Sequence, residues 1–221
     1  MNWRAILRRL LRRDRTVYVV AGFMRSGTTA MMQGLEAGGL RVDRAPKGDP
    51  LREFYELSEQ QKARGWYSEG AGTVELPPGQ RFPSAHRGRL IKCLVGSARY
   101  LDPQPVPIKV VFMRRNVVEI AESGRRLTGI PYQQRGVERS VEHELKQWRA
   151  RPDVELVEVW FGTLLADPEG VYERLQAAGW PIDARRAARA IDPTKQTIFT
   201  PWVKTASRNH RTATREREAV Q

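Results

Sequence analysis

A chain of 221 residues, 40% of them hydrophobic, is long enough for one domain with a sizeable core and cramped for two. Its 18 Gly, 14 Pro and 29% charged residues exclude the collagen-like and wholly disordered classes. The 38 Lys+Arg against 25 Asp+Glu give a net charge of +13, a field that gathers phosphate, sulfate, nucleotides, nucleic acid or acidic lipid.

Residues 1–15 place Trp3, Ile6, Leu7, Leu10 and Leu11 at helical spacing, with Arg4, Arg8, Arg9, Arg12 and Arg13 largely off that stripe. This predicts a basic amphipathic helix, suited to packing on the domain or to peripheral contact with a membrane. From Thr16 the pattern becomes TVYVVAG, a parallel-type strand, followed by the turn GFMRSGTT and by AMMQGLEAG, a helix stopping at Gly38-Gly39. Residues 50–64 are expected to be helical, and 68–89 carry too many Gly and Pro for regular structure. RLIKCLV (89–95) and IKVVFMR (108–114) are further strands, the second followed by a helix over 116–126 and a loop holding Gly129, Pro131 and Gly136.

A polar helix is expected over 137–150, then the strand VELVEVW (154–160), a helix over 168–178 opened by Asp167-Pro168, and a short helix over 184–190. Strands alternating with helices predict a three-layer α/β domain with a parallel sheet and a P-loop-like strand-loop-helix. The expected organisation is the N-terminal helix 1–15, an α/β domain 16–203 and a basic tail 204–221. The longest apolar runs, five to seven residues, fall far short of the roughly 20 of a spanning helix. Cys93 is the one cysteine, so no intrachain disulfide can form, and no Cys/His cluster has zinc spacing. A cytoplasmic protein is the expectation, with peripheral membrane contact through residues 1–15 as an option and no metal.

Gly22-Phe23-Met24-Arg25-Ser26-Gly27-Thr28-Thr29 joins a buried strand to a helix, where backbone N–H groups and the helix dipole bind a phosphate. Against G-x-x-x-x-G-K-[ST], both glycines and Thr29 are present, but Thr28 stands where the lysine would be and the cation comes earlier, at Arg25. A magnesium-nucleotide enzyme would also want a strand ending in an acid. Strand 108–113 ends instead in Arg114-Arg115, and 154–160 runs into Phe161-Gly162. Such a site suits an anion neutralised by arginine.

Met24-Arg25-Ser26-Gly27-Thr28-Thr29 resembles the phosphosulfate loop of the sulfotransferases that use 3′-phosphoadenosine 5′-phosphosulfate. A second motif resembles theirs too: Arg115 at a strand end and Ser123 eight residues on, within FMRRNVVEIAESGRR. The likeness extends over most of residues 16–195, including DPLREFYEL, GRLIKCLVGSARYL and VELVEVWFGTLLADPEGVYERL. It implies that Arg25, Ser26, Gly27, Thr28 and Thr29 hold the 5′-phosphosulfate and that Arg115 and Ser123 hold the 3′-phosphate. An arginine at a strand end and a serine on the next helix can converge on one phosphate, with Arg114 as the competitor on the opposite strand face. Met24 replaces the family's common proline, Arg25 its common lysine, and no Arg-Lys-Gly triplet follows. Lys204, Arg208 and Arg211 are the candidates for the charge that closes over the nucleotide.

The resemblance implies sulfuryl transfer to a hydroxyl or amine, with Arg25 neutralising the leaving oxygen. The cytosolic members use a histidine base, yet His86, His143 and His210 match no such motif, and His86 stays only as an outsider. Other branches use a glutamate after the loop, which makes Glu56 of FYEL the first choice and Glu53 its neighbour. Trp66, Tyr67, Phe82 and Tyr132 are candidates to shape the pocket of a small-molecule, carbohydrate or lipid acceptor. The alternatives are a P-loop kinase or NTPase, and a non-catalytic basic module on nucleic acid or anionic membrane. The internal loop with Arg115 and Ser123 disfavours nucleic acid.

Overall fold

The computed structural model describes residues 15–43, 86–94, 98, 106–128 and 132–192. Its elements are β1 (Val17–Gly22), α1 (Thr28–Ala37), β2 (Leu90–Leu94), β3 (Ile108–Arg114), α2 (Val117–Thr128), α3 (Gln134–Arg149), β4 (Val154–Trp160), α4 (Phe161–Ala166), α5 (Pro168–Ala177) and α6 (Ala184–Arg189). The four strands form an all-parallel sheet in the order β2-β1-β3-β4. An isolated parallel bridge between Val42 and Leu90 extends the pairing beyond β2.

Every residue of β1 is buried, because this central strand is covered on both faces. Alternation sorts its side chains into two cores. Tyr18 and Val20 join Met31, Met32 and Leu35 of α1, with Leu164, Tyr172 and Ala187 from α4, α5 and α6. Val17, Val19 and Ala21 face the other way, onto Ile120 of α2 and the stripe Val137, Val141, Leu145 and Trp148 of α3. The result is the three-layer α/β fold that the strand-helix alternation predicted.

Two boundaries differ from expectation. Gly136 belongs to the first turn of α3 rather than to the preceding loop, since burial of the stripe behind it outweighs the ~1 kcal/mol helix penalty of one glycine. The chain after β4 also turns at once into α4, a six-residue helix unforeseen in the sequence, which buries Phe161 and Leu164. The predicted helix over 1–15, except for Arg15 at its end, the predicted helix over 50–64 and the tail 204–221 lie outside the described residues. Among the described residues, no helix is long and apolar enough to cross a membrane.

Candidate functional site

The sheet order determines where a ligand can enter. β1 feeds α1 on one face and β3 feeds α2 on the other, although the two strands are neighbours. Their carboxyl ends therefore diverge and leave a crevice there, the usual ligand position in an open parallel sheet. Residues 23–27 border it from β1, and Arg115 with the start of α2 from β3.

Arg25 has φ 69, the one non-glycine residue of positive φ among the described residues. That conformation costs about 1–2 kcal/mol, and it sends the side chain across the crevice. Its Nε donates to Ser123 Oγ at 2.9 Å, spanning 98 residues of sequence. In return Arg115 Nη1 donates to the Arg25 carbonyl oxygen at 3.0 Å. Burial above all, then the neighbouring Arg115, lowers the pKa of Arg25, with the Tyr132 phenol acting in the opposite direction.

Gly27 follows with φ 98, and a Cβ on it would run into the Phe161 ring. Glycine is thus required twice over, by conformation and by space. It stands at the N-cap of α1, which no side chain caps and which has no acidic residue in its first turn, so the helix start presents N–H groups to an anion. Ser26 Oγ is buried and has no hydrogen-bond partner. A buried hydroxyl left unpaired costs about 1–3 kcal/mol, a price that a bound acceptor group would remove. Thr28 is buried and Thr29 half-buried in the first turn of α1.

Arg115, Glu119 and Ser123 recur every fourth residue, on one face of α2 and its lead-in. Asn116 opens the helix by accepting from Val118 N at 2.9 Å. Arg115 Nε donates to Glu119 Oε2 at 2.8 Å, in a pair only 7% and 3% exposed. The Arg115 guanidinium also lies 4.7 Å from the centroid of the Phe161 ring. Phe161 thereby touches both halves of the site, packing on Gly27 and under Arg115.

Arg114 points away, as strand alternation requires, toward Glu142, Glu158 and the face of Trp160. His86 lies before β2, at the amino end of the sheet, with Nδ1 on Asp43. It is far from the crevice. His143 is exposed on α3. Tyr132 packs edge-on against Phe23, with centroids 5.9 Å apart. Glu56, Glu53, Trp66, Tyr67, Phe82, His210, Lys204, Arg208 and Arg211 lie outside the described residues.

Three residues of the site went unread in the sequence. Lys92 is 8% exposed on the α1 face of β2, and burial, then Arg25, depresses its pKa to about 8. Its signal was a lone lysine inside an apolar strand. Glu119 was marked by its i,i+4 spacing from Arg115. Phe161 had no sequence signal, because its role depends on the turn into α4.

Arg25, Arg115 and Lys92 thus put three cations around a loop with an orphaned hydroxyl. Among the described residues no group of three His, Cys, Asp or Glu could hold a metal ion. Donors of this kind bind a multiply charged oxyanion with backbone amides, guanidinium groups and hydroxyls. Comparison of the sequence with protein-family models gives no match, and neither does comparison with curated proteins.

Proposed function

We propose that this protein is a sulfotransferase that moves a sulfuryl group from 3′-phosphoadenosine 5′-phosphosulfate to a hydroxyl or amine of an acceptor. One observation carries the reading: two motifs 90 residues or more apart interlock at one crevice, through Arg25 Nε to Ser123 Oγ and Arg115 Nη1 to Arg25 O. A glycine turn alone would need neither contact. The donor has two anionic arms, and the crevice has two sets of donors. Ser26 Oγ, with no partner of its own, fits the same kind of ligand.

When bound, the phosphosulfate supplies an SO₃ group whose bond to the 5′-phosphate breaks as a bond to the acceptor oxygen or nitrogen forms. The chain's part is to position the reactants and to take up charge on the leaving phosphate. In this reading the N–H groups of residues 25–29 cradle the 5′ arm, and Arg25 sits at the leaving oxygen. Arg115 and Ser123 bind the 3′-phosphate. Ser123 Oγ accepts from Arg25 Nε and still has its own proton to donate to a phosphate oxygen. Glu56 is the proposed base for the acceptor proton.

Titration calorimetry with 3′-phosphoadenosine 5′-phosphate, against ATP with and without magnesium, tests the donor class with no knowledge of the acceptor. Metal-independent binding of the bisphosphate, lost in Arg115→Ala, is the expected result. Magnesium-dependent preference for ATP would return the chain to the wider group of nucleotide-binding loops.

A further inference from the structure

Tyr132 lies beside the Arg25 crevice, just before Gln133, the N-cap of α3. Its ring packs edge-on against Phe23, two residues before Arg25, with centroids 5.9 Å apart. The same ring rests on Gly124 of α2, the residue after Ser123. A Cβ at Gly124 would stand 2.4 Å from a carbon of the Tyr132 ring, so α2 carries glycine, the poorest helix former after proline, where the ring lies. The phenol is thus wedged between the loop and the helix that Arg25 Nε and Ser123 Oγ join. It also acts on the charge of Arg25, so the two groups are neighbours.

These contacts use the ring and leave the hydroxyl aside. Among the described residues the Tyr132 hydroxyl has no hydrogen-bond partner, although the side chain is half-buried. Phenylalanine would fill the same space, as Phe23 does next to it. The neighbouring cation is in a similar position. Arg115 is paired with Glu119, whereas Arg25 Nε donates to a serine and no carboxylate among the described residues offsets its charge. An anion drawn to Arg25 therefore comes to lie beside the phenol.

We infer that the Tyr132 hydroxyl donates a hydrogen bond to the oxyanion that Arg25 binds, which makes Tyr132 a further binding residue of the anion site. A phenol O–H is a neutral donor, so it strengthens the hold on an anion without adding to the repulsion between Arg25 and Arg115. The ring contacts fix the oxygen in place before the ligand arrives, which lowers the ordering cost of binding. The identity of the anion rests on the sulfotransferase reading, in which it is the 5′ arm of the donor. The contact itself requires only an oxyanion at Arg25.

Tyr132→Phe tests this, because it removes one oxygen and keeps both ring contacts, so its Tm should match that of the parent. Titration calorimetry of the full chain, parent and variant, with 3′-phosphoadenosine 5′-phosphate and with inorganic pyrophosphate then reads the contact. The variant should bind both about tenfold more weakly, the loss of one hydrogen bond to a charged acceptor. Parent-like affinity of Tyr132→Phe for both ligands overturns the inference and leaves the sulfotransferase reading standing. Pyrophosphate binding that depends on Tyr132, in a parent that does not bind the bisphosphate, supports the inference and overturns the reading. A parent that binds neither overturns both.

Discussion

Arg115 Nη1 donates to the carbonyl oxygen of Arg25 at 3.0 Å while its Nε holds Glu119 Oε2 at 2.8 Å. One guanidinium thus fixes both the left-handed loop and the first turn of α2. With Arg115 and Glu119 7% and 3% exposed, removing the cation takes its ion-pair partner from a buried carboxylate. Arg115→Ala should cost about 3–5 kcal/mol of stability and abolish bisphosphate binding. Adding Glu119→Gln should restore much of the stability but none of the binding. Denaturant titration and calorimetry on the single and double variants separate the two effects, and recovery of binding in the double variant would show that Arg115 acts only as a brace.

Ser26 offers the converse test. Its Oγ is buried without a partner, so the ligand-free protein gains nothing from the hydroxyl. Ser26→Ala should leave stability unchanged or raise it by about 1 kcal/mol, because an unsatisfied group is removed. If the hydroxyl is kept for an anion, the same variant should bind the bisphosphate roughly tenfold more weakly. A variant that loses stability and keeps its affinity would make Ser26 an ordinary packing residue.

Gly27 couples the loop to α4. At φ 98 any other residue carries a left-handed penalty of about 1–2 kcal/mol, and a methyl group would also collide with Phe161. Gly27→Ala should therefore lower the Tm by roughly 10 °C, taking overpacking at about 1–3 kcal/mol in addition. Phe161→Ala in that background relieves the collision but not the backbone strain, so it should recover part of the loss. Wild-type melting by Gly27→Ala would show that the loop relaxes without cost.

The layered fold was legible because strand and helix periods alternate along the chain, and buried parallel strands such as VYVVAG have few other homes. The Arg25 loop was legible through its glycines and its place between strand and helix, and Arg115 with Ser123 only through the resemblance that singled out their spacing. What stayed hidden depends on tertiary placement. α4 has only six residues, one of them Gly162, and it forms because Phe161 and Leu164 find a core to enter. Lys92 was hidden for a similar reason: strand alternation gives its face, but only the fold puts Arg25 close enough to act on it. The choice between Arg114 and Arg115 likewise required the structure, since alternation states that they diverge and not which one meets Arg25.

Lys92 supplies the pH-dependent prediction. Burial, and secondarily Arg25, lowers its pKa from the ordinary 10.5 to about 8 in the folded protein. Between pH 8 and 10.5 the unfolded chain then holds more protons than the native one, so this lysine makes stability rise with pH across that window. Below pH 8 it is charged in both states, and the burial cost is felt in full. The stability of Lys92→Met relative to the parent should accordingly fall between pH 8 and pH 10, by about 2 kcal/mol. Cys93 and Tyr172, whose pKa values burial raises, oppose the trend equally in both proteins and cancel in the difference. An anion bound against Arg25 offsets the charge that helps depress Lys92, which should raise its pKa again. Bisphosphate binding near pH 9 should therefore take up protons, seen as a binding enthalpy that varies with the ionisation enthalpy of the buffer, and Lys92→Met should abolish that dependence. A buffer-independent enthalpy in the parent protein would place Lys92 outside the electrostatic reach of the bound anion.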